Sequence, residues 1–177
     1  MGIWYVSISF VGVNKDKYFP KITTAPTKVP QNMKLISTAF VNEEIIPVEF
    51  TCDGKKFNPP LSISGIPEGT KSLAIIVDDP DAPMGTFTHW VIWNVDPATT
   101  EIASGKIPQK SQEGTNSGGS IGYTPPCPPN GTHRYFFTLF AVDTTIGLDG
   151  KAKKADLEAA MKGHIIEQTN LIGMYGR

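Results

Sequence analysis

Two of the three histidines in this 177-residue chain stand at the start of apolar, strand-like runs, and an aspartate stands at the end of a third. Side chains two apart on a β-strand share a face. In Leu73-Ile75-Val77-Asp79, one face is apolar and ends in an acid. In His89-Val91-Trp93-Val95, one face begins with an imidazole. In His133-Tyr135-Phe137-Leu139-Ala141, one face begins with an imidazole and a phenol. If these ends meet at one rim of a sheet, Asp79, His89, His133 and Tyr135 ring a cavity with an apolar floor, the usual form of a small-molecule site. Imidazole N–H and phenol O–H groups are hydrogen-bond donors for the polar end of such a molecule. A carboxylate beside an imidazole selects its donating tautomer and favours its charged form.

Each of these residues also has a plainer reading. Asp79 and Asp81 lie in Asp78-Asp79-Pro80-Asp81-Ala82-Pro83, where aspartate suits an Asx turn. Tyr135 suits a core aromatic with its hydroxyl at the edge. Arg134 alternates to the face opposite His133 and Tyr135, which favours an ion pair with an aspartate of the 78–81 loop over a ligand contact. His164 follows a helical stretch, where capping is the expected role. Two catalytic arrangements rank below the binding site. His89, His133 and an aspartate could imitate a two-histidine, one-carboxylate metal site. Cys127 with His133 could imitate a thiol hydrolase. Cys52 and Cys127 are too few for a disulfide scaffold and fit no zinc spacing, so two reduced thiols are expected in preference to a disulfide.

The elements that must position these groups read as mainly β. Ile45 to Phe50 is a short extended run, and Leu61 to Gly65 alternates. Leu73 to Val77 is continuously apolar, as for a strand covered on both faces. His89 to Val95 and His133 to Val142 are rich in aromatic and β-branched residues. Segments 51–60, 78–88, 105–120 and 122–132 are punctuated by Gly, Pro, Asp and Asn and read as loops. One helix is expected over 154–161, with Leu157, Ala160 and Met161 on one face and Gly163 as terminator. The tail from Thr169 to Tyr175 continues the helix or forms a last strand, with a slight preference for the strand. This is the pattern of an antiparallel β-sandwich with a few short peripheral helices.

Length and composition agree with one domain. Gly (17) and Pro (15) are frequent, as many turns between short strands require. The net charge of −1 shows no basic stripe of the kind that nucleic-acid binding needs. Residues 1–32 read as an N-terminal extension or linker ahead of a domain over 33–177. Ile3 to Val13 is apolar but about half the length of a membrane span, and no Lys or Arg precedes Lys15. A cytoplasmic location is expected, with export as the alternative if this extension is a signal or anchor. A free sheet face would permit a homodimer.

Several of these stretches together resemble the phosphatidylethanolamine-binding protein family. They are Asp78 to Pro83, Thr88-His89-Trp90-Val91-Ile92-Trp93-Asn94, Gly122-Tyr123 with Pro125 to Pro129, and Gly131-Thr132-His133-Arg134-Tyr135. Thr51-Cys52-Asp53-Gly54, Pro59-Pro60-Leu61-Ser62 and the stretch from Gly163-His164 to Tyr175-Gly176-Arg177 resemble its bacterial and archaeal branch. The resemblance implies an antiparallel β-sandwich and a rigid, non-catalytic pocket for phosphate, a phospholipid headgroup or a similar small anion. It implies ligand contacts from Asp79, His89, His133 and Tyr135, support from Asp81, and a rim from the backbone of Pro126, Cys127 and Pro128. It implies no cofactor and no metal. It also brings two partner classes, a kinase or other regulated enzyme and a serine protease of the chymotrypsin or elastase type, the latter met by an exposed loop at 105–120 or 122–132. The C-terminal helix of the eukaryotic members has no counterpart here.

Overall fold

The computed structural model of the protein describes residues 32–177. The extension expected over 1–32 lies, but for its last residue, outside the described residues. Among them are nine strands and one α-helix, arranged as two sheets with the helix on the outer face of the larger one. No helix among the described residues is long and apolar enough to cross a membrane.

The smaller sheet joins β1 (Lys34–Ser37), β3 (Leu61–Ser64) and β6 (Glu101–Ile102), in the order β1-β3-β6. The larger joins β2 (Glu44–Ile45), β4 (Ser72–Asp79), β5 (Phe87–Val95), β7 (Gln112–Glu113), β8 (Thr132–Val142) and β9 (Ile165–Gly176), in the order β2-β9-β8-β4-β5-β7. All pairs are antiparallel except β2 with β9. The tail is therefore a strand, as Thr169, Ile172 and Gly173 favoured, and it begins already at Ile165.

β4 lies centrally and is covered on both faces, which is why its sequence is continuously apolar. Its Leu73, Ile75 and Val77 meet Leu35, Leu61, Ile63 and Ile102 of the small sheet, together with Tyr135, Phe137 and Leu139 of β8. Its Ala74 and Ile76 face the other way, onto Val91, Trp93, Leu157 and Met161. The latter two belong to α1 (Lys154–Met161), whose first turn is capped by the Asp156 carboxylate accepting from the Lys153 amide at 2.8 Å. Gly163 ends it in the left-handed region, φ 83°, where glycine costs least.

Two sequence expectations need correction. The run from Ile45 to Phe50 is not one strand: only Glu44–Ile45 pairs, and Val48–Phe50 is a 3-10 turn. Pro47, between them, has no N–H for a ladder and fixes φ. Segment 105–120 is not wholly loop, since β7 adds to the edge of β5 at Gln112 and Glu113. At the opposite edge, Gly173 is required by packing. A Cβ there would come within 2.5 Å of Ile46 and 2.8 Å of Phe40.

Candidate functional site

β4 and β8 alternate without interruption up to their polar ends. Val77 pairs with Phe137, and Asp79 and His133 follow on the same face. Their side chains meet: Asp79 Oδ2 lies 2.7 Å from His133 Nδ1, with both groups buried. The other Asp79 oxygen accepts from the Asp81 amide at 2.9 Å, so the Asx turn expected of this segment also forms. One carboxylate thus serves the turn and the imidazole together.

β5 reaches the site by a different route. Simple alternation puts His89 with Val91 and Trp93, but those two face α1. The β4–β5 register runs Val77 with Trp90 and then Asp78 with Thr88, so His89 is the extra residue of a β-bulge. Thr88 keeps the helix-side face and donates to Asp78 Oδ1 at 2.8 Å. His89 joins Phe87 and Tyr135, with ring centroids 4.8 and 5.2 Å away. A bulge re-aims a side chain in this way, often beside a functional site. The expected meeting of His89 with Asp79 and His133 is therefore correct, but the strand face assigned to His89 is not.

His89, His133 and Asp79 line one cavity of 180 Å³ with Ala82, Pro83, Phe87, Thr124, Pro125, Cys127, Pro128 and Pro129. The walls are mainly proline and aromatic. Thr124 was not foreseen, yet it fixes His89: the imidazole Nδ1 lies 2.7 Å from the Thr124 carbonyl, and the Thr124 amide donates to the His89 carbonyl at 2.8 Å. The signal was Pro125, since a residue before proline is held extended and its carbonyl is turned outward. Asn116, buried, organises the approach to Thr124. Its Nδ2 donates to the Gly122 carbonyl and to Thr124 Oγ1, and its Oδ1 accepts from Gly118 and Ser120.

These partners settle the tautomers. A carbonyl and a carboxylate can only accept, so His89 and His133 both carry hydrogen on Nδ1. In a neutral ring the remaining Nε2 is then an acceptor, and in the imidazolium it is a donor. Burial pushes the His89 pKa down from its ordinary value, opposed by its bond to Thr124 and by the charges of Asp79 and Asp78.

Three other expected site residues, Tyr135, Asp81 and Pro126, lie outside the cavity wall. Tyr135 is fully buried beneath His89; its hydroxyl lies near the Cys127 backbone but has no hydrogen-bond partner. Burial drives the Tyr135 pKa upward, and it supports the ring above it. Asp81 turns away to Arg134, which donates from Nε at 2.9 Å and from Nη2 at 2.7 Å. That pair holds the Asp81 pKa down to about 2, and it is the ion pair the alternation of Arg134 suggested. Pro126 is buried, and its carbonyl accepts from the Cys52 amide at 3.0 Å. Only Cys127 and Pro128 of the three rim residues reach the wall.

Cys52 and Cys127 form a disulfide across 75 residues, which corrects the expectation of two reduced thiols. Two turn-rich loops that sequence spacing could not relate are brought together beside the cavity. The bond also removes the thiol a Cys127–His133 hydrolase would need. Among the described residues no three His, Cys, Asp or Glu side chains are grouped to hold a metal ion. A larger cleft of 420 Å³ lies at the start of α1, lined by Thr88, Ser117, Lys153 and Lys154 among others. There Lys154 Nζ is paired with Asp78 Oδ2 at 2.6 Å, and Thr88 with Asp78 Oδ1, so its inner groups are matched to one another. His164, at the surface, pairs with Asp143 at 2.7 Å, the structural role expected of it.

Comparison with known proteins agrees with this architecture. The family model for phosphatidylethanolamine-binding protein matches residues 36–176. A UPF0098 protein of Pyrococcus horikoshii is 49% identical over 152 residues, covering 80% of this chain and 76% of its own length. Another, of Methanothermobacter thermautotrophicus, is 47% identical over 150 residues, covering 82% of this chain and 99% of its own. A homologue of phosphatidylethanolamine-binding protein from Chlamydia trachomatis superimposes with a TM-score of 0.80 at 39% identity, covering 83% of this chain and 99% of that one. These relatives fit the bacterial and archaeal branch that the motifs indicated.

Proposed function

The chain belongs to the phosphatidylethanolamine-binding protein family, and on that premise we propose that its cavity is a non-catalytic binding site for a phosphate group, free or at the end of a small headgroup. One observation carries the reading. Two buried imidazoles have their Nδ1 atoms committed to fixed acceptors, which leaves two Nε2 atoms for whatever the shared cavity holds. A phosphate oxygen accepts from Nε2–H of an imidazolium, and a phosphate O–H donates to Nε2 of a neutral ring. Either arrangement couples binding to one proton.

Size limits the guest. A cavity of 180 Å³ equals about six waters at roughly 30 Å³ each. That suits a phosphate with a short alkyl arm. The proline-rich wall is stiff, so little ordering is needed on binding. Asp79 places a negative charge within the site, so affinity depends on the imidazoles being protonated or on the ligand carrying the proton.

The absence of turnover is part of the proposal. The Thr124 hydroxyl is held by Asn116 and Cys127 is oxidised, so neither offers a nucleophile to the cavity. Nothing favours substrate-like protease inhibition through 122–132, because Thr124, Pro125, Cys127, Pro128 and Pro129 of that loop face the cavity. The test is a crystal soaked in phosphoethanolamine, paired with calorimetry of phosphate binding to His89→Gln and His133→Gln. Density between both Nε2 atoms and loss of heat in both variants is expected. Phosphate bound elsewhere, or unaltered affinity in both variants, removes the reading.

A further inference from the structure

The Cys52–Cys127 bond joins a partly covered residue to an exposed one that lies on the wall of the cavity. Arg177 Nη1 approaches Cys127 Sγ at 3.6 Å. The guanidinium is held there by Asp53, whose second oxygen accepts from the Tyr175 hydroxyl at 2.6 Å. A cation beside a cysteine stabilises its thiolate, and a stabilised thiolate leaves faster in exchange. Apart from the disulfide, loops 50–53 and 123–127 are joined by few bonds: the Cys52 amide to the Pro126 carbonyl at 3.0 Å, and the Tyr123 hydroxyl to the Phe50 carbonyl at 3.5 Å.

We propose that this disulfide is a thiol-exchange site for a dithiol reductant, and that its state sets the affinity of the cavity. A thiolate of the reductant attacks the sulfur of Cys127, the more exposed of the two residues. A mixed disulfide forms at Cys127, and Cys52 leaves as a thiolate that takes a proton from water. The reductant's second thiolate attacks its own sulfur in the mixed disulfide and closes a new S–S bond. Cys127 leaves as a thiolate against Arg177. The protein gains two electrons, and the dithiol is oxidised to a disulfide. With the bond open, the segment carrying Thr124 is no longer anchored at Cys127, and the carbonyl that fixes His89 loses part of its support. Disulfides that are made and broken in this way are the kind met in reducing compartments, which accords with the cytoplasmic location expected from the sequence.

The affinity half of this proposal rests on the anion reading of the cavity, and the exchange half does not. The experiment treats the native full chain with dithiothreitol without denaturant, follows the gain of two hydrogens by intact mass, and measures phosphate binding by calorimetry in both forms. Reduction within minutes is expected. The phosphate Kd should rise about tenfold as preorganisation is lost, and should return on reoxidation. In Arg177→Gln, resolution of the mixed disulfide, the step in which Cys127 leaves, should slow by about tenfold, seen by intact mass as a longer-lived dithiothreitol adduct. In Cys52→Ala, the pH profile of Cys127 alkylation should shift upward when Arg177→Gln is added, a readout that a structural role for Arg177 would not move. A bond that resists reduction in the folded protein, or exchange rates and alkylation profiles indifferent to Arg177, overturns the exchange site. Facile exchange with equal phosphate affinity in both forms overturns the gate. Absence of phosphate binding by the oxidised form overturns the anion reading and leaves the exchange half to be judged by the rates. Should reduction unfold the chain, seen by circular dichroism, the disulfide is a structural bond and the proposal fails.

Discussion

Asp78 and Asp79 are neighbours on β4, yet they end on opposite faces of the sheet with opposite consequences. Asp78 meets Lys154 and Thr88, a permanent cation and a hydroxyl, beneath α1. Asp79 meets His133 and a backbone amide, beside a cavity. The same side chain at the same strand end is thus balanced on one face by a charge that does not titrate near neutrality. On the other it is balanced by the His133 imidazole on the cavity wall. The first arrangement is a closed link between sheet and helix. The second commits only Nδ1 of the ring and leaves Nε2 for the cavity. What separates the acid that links sheet to helix from the one proposed to serve binding is above all the partner.

The sharpest way to break this contrast is to neutralise each acid in turn. Asp79→Asn should weaken phosphate binding by about tenfold to a hundredfold, because the charge-assisted bond that orients His133 becomes neutral. Asp78→Asn should leave the Kd within about twofold, because Asp78 faces α1 and is not a cavity wall. Calorimetry of the two variants side by side decides; equal losses would erase the distinction.

Proton linkage gives the next largest effect. Burial lowers the His89 pKa from 6.5, so the unfolded chain binds protons that the folded chain refuses. The stability that a neutral His89 supports is present above that unfolded value and is lost as pH falls through and below it. A bound anion favours the charged ring and opposes the loss. Thermal midpoints should therefore fall on acidification without phosphate, and phosphate should raise them more at about pH 5.5 than at about pH 8. The Kd, measured over the same range, should increase with pH. A flat profile would mean that the imidazoles do not contact the anion.

The helix-side link predicts a smaller change of another kind. Lys154→Met should cost about 1 kcal/mol after solvent screening, seen as a lower urea midpoint with phosphate affinity intact. Smallest of all is Arg134→Ala. Its pair with Asp81 is exposed, with side-chain exposures of 54% and 29%, and screening leaves little to lose. Its melting curve should overlay that of the wild type.

How far the sequence disclosed all this depended on whether the chain kept its period. β4 and β8 alternate strictly from core to rim, so Asp79, His133 and the opposite facing of Arg134 followed from counting by twos. β5 does not. Its bulge at His89 carries no Gly or Pro to announce it, and counting back from Trp93 assigned the ring to the wrong face. The helix over 154–161 and its stop at Gly163 were legible because propensity and termination coincide there. The disulfide was not, since only the assembled sheets bring loops 50–53 and 123–127 together. Thr124 acts through its carbonyl, a group every residue owns, so residue type alone could not single it out. Tyr135 sat on the correct face but one layer too deep, a distinction that alternation does not measure.

Both borders of the larger sheet end in strands of two residues, β2 and β7, although β9 is twelve residues long. Among the described residues, β2 pairs only with Gly173 and Met174, so the outer side of 165–170 has no strand beside it. An open flank of that length is a template on which another chain could continue the ladder. Its side chains discourage this: Glu167 brings a charge, which also accepts from the Met33 amide at 3.0 Å, and Gln168, Thr169 and Asn170 give an incoming strand no apolar surface to cover, despite the exposed Ile165 and Ile166 before them. A Glu167→Val substitution would weaken that protection and release the Met33 amide, and the fold would then be at greater hazard from its own copies at high concentration.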